Sequence, residues 1–248
     1  MFALTLTEDL TIHPEKGELS PVNRRLQNHL ALGEKFPNFI PQVVVPNDAE
    51  LATLDPKESF PVVSVPGIEI GQLFSQSDIA FHDRITIVTE ALRQFITVLD
   101  QTGIVLEHRT RSNIMVAPSD QETPLFFAQQ YWQVWQVDLE SIYDTNHDRA
   151  WLEPSQPLPL SSTEIGFSNP DYSLRVINRE LEKIIDALRT RQTGGTFSGA
   201  DRESLETIMT YFRNTYLVEC EAIKKMTNPK AAKQALVQAA LRMIDFLS

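Results

Sequence analysis

The chain has 248 residues and is 42% hydrophobic, enough apolar material for a sizeable core and too much for disorder along its whole length. Thirty-three acidic against 22 basic residues leave a net charge of −11, which argues against a nucleic-acid backbone as main partner, since such binding needs clustered lysine and arginine. The single cysteine, Cys220, excludes an internal disulfide and a cysteine metal cluster.

Arg24-Arg25 and Lys224-Lys225 read as solvated helix faces, and Cys220, within an apolar periodic stretch, as a buried structural thiol. No run approaches the roughly 18 apolar residues of a membrane span. The start, "MFALTLTEDLTIHPEKG", lacks the order of a signal peptide. A cytoplasmic protein without a membrane span is the expectation.

In chain order, alternation of Phe2, Leu4, Leu6, Leu10 and Ile12 predicts a short hairpin. Ser20-Pro21 then offers a cap and a first-turn proline, and Val22, Leu26 and Leu30 follow at helical spacing until Gly33 closes the helix. Val43–Val45 and Val62–Val65 are the bodies of two proline-bounded strands. After Pro66-Gly67 comes a short helical piece in "IEIGQLFSQSD", with Ser77 or Asp78 able to cap the next helix. From Ile79 to Asp100, Ile85, Val88, Leu92, Phe95 and Leu99 recur every three or four places, and Gly103 ends this helix of about five to six turns.

Directly after it stands "GIVLEHRTRSNIMVAP", residues 103–118, a polar loop leading into a short strand. A second strand, "YWQVWQVDLE", alternates Trp132, Val134 or Trp135, and Val137 before Asp138, which makes a hairpin over 113–141. Residues 153–170 form a proline- and serine-rich loop. Three helices come after it, marked by Leu174 to Leu188, by Leu205 to Tyr216 after Ser198 and Asp201, and by Leu236 to Leu247 after Asn228-Pro229. "TRQTGGTFSGA" links the first two. The fold class is therefore α+β in two unequal lobes, a reduced strand-rich lobe over 1–66 and a larger, mainly helical lobe over 67–248.

This order, with "LEHRTRSNIMV" at 106–116 and "VWQVDLES" at 134–141, resembles the protein-kinase-like fold, and within it the aminoglycoside- and choline-phosphotransferase branch and atypical kinases. The resemblance implies that Asn113 is the asparagine that holds a metal ion and Asp138 the aspartate that chelates metal between nucleotide phosphates, both supplying hard oxygen ligands for Mg-ATP. It also implies a catalytic aspartate five residues before the asparagine. His108 stands there instead, beside Glu107. No residue is assigned a catalytic role, and these two are the only candidates for an unorthodox base. The glycine-rich phosphate loop, the strand lysine and its helix glutamate partner have no counterpart, and only about 20 residues precede the first helix.

Each residue also has a structural reading. His108 can be a hydrogen-bonded loop residue, Asn113 can fix the loop through bonds to backbone, and Asp138 can cap a strand end. Arg109 and Arg111 can grip a phosphate or pair with Glu107 or Glu140. Phe126, Phe127, Tyr131, Trp132 and Trp135 crowd into the hairpin, either as cross-strand packing or as a surface for a partner protein. The function expected is a catalytically impaired, pseudokinase-like protein that binds another protein as a regulatory or assembly factor, without a cofactor. The alternatives are an active Mg-ATP-dependent phosphotransferase and a non-nucleotide α+β assembly factor.

Overall fold

The structure, a computed structural model, describes residues 2–6, 21–41, 60–65, 67–76, 79–109, 111–118, 132–139, 141–150, 166–190 and 197–248. It is a mixed α and β chain, mainly helical, with three small antiparallel sheets among the described residues. β1 (Phe2–Leu6) pairs antiparallel with β2 (Phe60–Val65), with an irregularity at Leu4/Thr5. The first strand thus finds its partner far along the chain. The turn and second strand expected to complete a local hairpin, and the strand at Val43–Val45, lie outside the described residues.

α1 (Pro21–Lys35) runs past Gly33, which is buried inside the helix and does not end it. A mid-helix glycine costs about 1 kcal/mol. The chain beyond it is held by Phe36 N donating to Leu32 O at 2.8 Å and Ile40 N to Phe36 O at 2.9 Å, with all three side chains buried. That burial outweighs the local penalty. β3 (Ile68–Glu69) and α2 (Ile70–Gln76) come after Gly67.

α3 (Phe81–Thr102) is the expected long helix, and its C-terminus closes as predicted: Gly103 is left-handed (φ 73°) and donates to Leu99 O at 2.8 Å. Ala80 precedes it with no side-chain cap, and Ser77 and Asp78 lie outside the described residues. The spacing implied one apolar stripe, but Ile87, Ala91, Ile96 and Val98 are buried along with Val88, Leu92, Phe95 and Leu99. A helix covered on most of its circumference is a core helix.

Two further sheets lie against it. β5 (Ile114–Pro118) sits between β3 and β6 (Trp132–Gln136), which is the expected hairpin. β4 (Ile104–Leu106) pairs with β7 (Ile142–Asp144), and β7 with β8 (Arg149–Ala150). β4, β7 and β8 are too short for alternation to show in sequence. The C-terminal helices are α4 (Pro170–Asp186), capped by Asn169; α5 (Gly199–Tyr211), opened by a Ser198/Asp201 capping box; and α7 (Pro229–Leu247), capped by Asn228. Between the last two the chain continues from α5 through a π turn, Phe212–Tyr216, into α6 (Leu217–Ile223).

One large buried cluster takes in Leu32 of α1 with Phe36 and Ile40 after it, most of α3, residues of β4, β5, β6 and β7, and all four C-terminal helices. A second, small cluster joins Val65 of β2 to Met115 and Val137, with Trp135 packed on it. No helix among the described residues is long and apolar enough to cross a membrane.

Gly67 has φ 102°, and a Cβ there would lie 2.1 Å from the Val116 carbonyl oxygen. Gly67→Ala should therefore lower unfolding stability by at least about 1–3 kcal/mol in urea titration. Gly199→Ala, where an added Cβ meets nothing within 4 Å, should leave the midpoint unchanged or slightly raised.

Candidate functional site

Register brings the candidate residues together. β5 and β6 pair with Ile114 opposite Gln136, so the residue before β5 and the residues after β6 meet at one end of the hairpin. Val137 N donates to Asn113 O at 3.1 Å. Asn113 and Asp138 therefore stand at neighbouring chain ends, beside the polar loop.

Arg109 fills the space between these ends and has 0% exposure. Its Nε donates to Glu107 O at 3.0 Å, Nη1 to Val137 O at 2.8 Å and Asn113 O at 3.4 Å, and Nη2 to Asp138 O at 2.8 Å. Burial pulls the guanidinium down to about 10, while the Asp138 and Glu180 charges act in the other direction, so it stays a cation at neutral pH. Two of the expectations for Arg109 are thus corrected, and the third, a pair with Glu140, lies outside the described residues. Arg109 neither faces outward to grip a phosphate nor pairs with Glu107 through that carboxylate; its planar fork is spent on backbone carbonyls. Arg111 is exposed and donates from Nη2 to the Asp186 carbonyl at 3.3 Å.

The remaining loop residues are held just as firmly. His108 is exposed and left-handed (φ 56°), and its carbonyl accepts from Asn113 Nδ2 at 2.8 Å. Asn113 Oδ1 accepts from Ser112 Oγ at 3.1 Å. The asparagine thus fixes the loop, as its structural reading expected. Glu107 accepts on both oxygens, from Arg179 Nη2 at 2.9 Å and Ser141 Oγ at 3.0 Å. Asp138 is half-buried and also left-handed, with φ 56°.

Under the loop lies a residue that was not among the sequence-based candidates. Glu180, on α4, has 0% exposure and accepts from Arg109 N at 2.8 Å, Arg179 Nε at 2.8 Å and Lys183 Nζ at 2.9 Å. Burial pushes its carboxyl up, but the bonds from Lys183, the Arg109 amide and Arg179 together outweigh burial and hold it below the ordinary 4.5. The sequence does carry a signal for it: Glu180 falls on the apolar stripe of Ile177, Leu181 and Ile184. An acid on a core-facing stripe calls for partners.

The aromatic group divides. Trp132 is partly buried against the large cluster, with Gln136 on the same face of β6 fully buried. Trp135 packs on the opposite face, against Val65, Met115 and Val137. These two tryptophans are packing residues within the sheet, not members of an insertion standing clear of the core. Phe126, Phe127 and Tyr131 lie outside the described residues. Beside the loop an open cleft of about 450 Å³ runs between α2 and the end of α4, lined by Gly71, Gln72, Arg111, Ser112, Lys183 and Asp186. Among the described residues, no group of three or more His, Cys, Asp or Glu could hold a metal ion.

No protein-family model matches the chain, and no curated protein matches it.

The buried arginine and its acid each generate a prediction. Arg109→Lys keeps the charge but not the fork, and each buried carbonyl left unsatisfied costs about 1–3 kcal/mol. The variant should lose several kcal/mol of stability in urea unfolding. For Glu180, the folded carboxyl binds its proton less tightly than the unfolded one. Its contribution is therefore present above about pH 4.5 and lost as pH falls through the lower folded value. Glu180→Gln should flatten that acid limb of stability against pH, measured by denaturation at successive pH values.

Proposed function

We propose that this chain is a kinase-like scaffold of two unequal lobes, impaired in phosphoryl transfer, that acts by binding another protein as a regulatory or assembly factor. The observation that carries the reading is Arg109, whose guanidinium joins the loop at Glu107 and Asn113 to the strand end at Val137 and Asp138 through carbonyl bonds. The resemblance places a proton-accepting carboxylate at position 108, and the residue there is a histidine. The nearest carboxylate, Glu107, is engaged on both oxygens. What supports the reading is a loop whose polar groups serve its own shape.

A second reading, an Mg-ATP-dependent phosphotransferase, draws on the nearness of Asn113 and Asp138 in the hairpin register. Their side chains are hard oxygen donors, the type Mg²⁺ takes. Asn113 Oδ1 and the Asp138 carboxylate would hold the ion, which would supply charge neutralisation for phosphates. Asn113 already gives its amide to the His108 carbonyl and accepts from Ser112 on the oxygen that would face the ion.

Thermal denaturation with and without Mg-ATP separates the two readings. A ligand at 100 times its Kd adds about 2.7 kcal/mol. The scaffold reading expects no shift; a clear shift that Asp138→Ala abolishes would overturn it in favour of the phosphotransferase. The partner arm uses Phe126→Ala, Phe127→Ala and Tyr131→Ala together. If the hairpin is the docking element, this variant should lose proteins that co-purify with the wild type, with an unfolding curve recorded alongside to separate lost docking from lost folding; unchanged co-purification would count against it.

A further inference from the structure

The open cleft of about 450 Å³ beside the loop has Glu69 and Gly71 on one side, Arg111 from the loop, and Lys183 and Asp186 at the end of α4. Arg111 is exposed, yet the fold seats it along its length. Its carbonyl accepts from Gly71 N at 3.2 Å. Its stem runs over that glycine, where an added Cβ would lie 2.8 Å from Arg111 Cβ and 3.5 Å from Cδ. At the far end Nη2 donates to Asp186 O at 3.3 Å. A surface arginine ordinarily gives up rotamer freedom when it binds, and here much of that loss accompanies folding.

The charges around it are arranged by sign. Lys183 sits on Glu180 at 2.9 Å, and Glu180 is 0% exposed, so the ammonium reaches the cleft and the carboxylate does not. The Asp186 carboxylate is paired with Arg189 at 2.9 Å. The loop and α4 therefore present two cations, and Glu69 stands exposed on the β3 side. A single carboxylate matches the planar fork of a guanidinium. A phosphate dianion would bring a second negative charge up against Glu69 and Asp186.

We infer that this cleft receives one Asp or Glu side chain of the partner protein, its carboxylate held by the Arg111 fork with Lys183 beside it. The inference rests on the scaffold reading and gives the partner's anchor a chemistry. Glu69 sets the selectivity by admitting one negative charge and opposing two.

The probe is the peptide acetyl-Gly-Glu-Gly-amide, with acetyl-Gly-Gln-Gly-amide as its neutral analogue and inorganic phosphate as the competing anion. Each is titrated into the full chain while the Arg111 Nε–Hε resonance, assigned with Arg111→Lys, is followed. The glutamate peptide should move it saturably, and the other two should need at least about ten times the concentration for the same shift. Arg111→Gln, followed through the Ser112 amide, should weaken the glutamate peptide roughly tenfold or more. Glu69→Gln should narrow the gap between peptide and phosphate. Gly71→Ala, which displaces the arginine without altering any charge, should also weaken the peptide. Arg111 and Glu69 are exposed, so their variants should keep the wild-type unfolding midpoint. An unmoved Arg111 resonance, an equal response to the glutamine peptide, tighter binding of phosphate, or full affinity in Arg111→Gln would overturn the assignment. The titration needs no partner, so its failure strikes the cleft alone, whereas a chain that captures no protein strikes the scaffold reading.

Discussion

The buried guanidinium of Arg109 is the constraint on which the loop and the hairpin end both depend. Two non-glycine residues beside it, His108 and Asp138, are left-handed, a conformation that costs roughly 1–2 kcal/mol each for an L-residue. The carbonyls of Glu107 and Asp138, which flank those strained positions, are among those that Arg109 binds. Strain of this kind persists where surrounding bonds over-determine the backbone. Glu180 completes the arrangement from α4 by accepting the Arg109 amide and balancing the buried charge.

The same device recurs elsewhere in the core. Arg84, 1% exposed, donates to Thr190 O and Phe74 O, both at 2.7 Å, and so ties α3 to α2 and to the turn after α4. Lys233 of α7 donates to Asp100 O at 2.8 Å near the end of α3, and burial lowers its ammonium below the ordinary 10.5. Gln94 donates to Val134 O at 3.0 Å, tying α3 to β6. Each long polar side chain ends on a backbone carbonyl of another element. Apolar packing alone is tolerant of sliding, whereas a buried donor aimed at one carbonyl accepts a single arrangement.

This bears on what the loop can do. A side chain whose polar atoms hold its own backbone in place has less left to offer a substrate. Asn113 and Arg109 are in that position, the Glu107 carboxylate is taken up by Ser141 and Arg179, and the His108 side chain among them stays exposed. At the π turn the side-chain oxygen of Asn178 is spent in the same way, accepting from the Tyr216 hydroxyl at 2.9 Å.

Local patterns determined much of this protein from sequence alone. The spacing of Val88, Leu92, Phe95 and Leu99 marked the long helix, and Gly103 its end. Ser198 with Asp201 and Asn228 with Pro229 marked helix starts. Apolar runs marked the hairpin, with Asn113 and Asp138 at its base. These are short-range rules of backbone geometry and capping, in which the deciding groups lie within four residues of one another. Tertiary structure decided the rest. It carried α1 through Gly33 because Phe36 and Ile40 are buried, paired β1 with β2 across the chain, and turned Trp132 and Trp135 to opposite packed faces. It also drew Arg109 inward, because only there do carbonyls 28 and 29 residues away and a carboxylate 71 residues away converge on one side chain and its amide. Such convergence depends on distance through space, which the order of residues along the chain does not record.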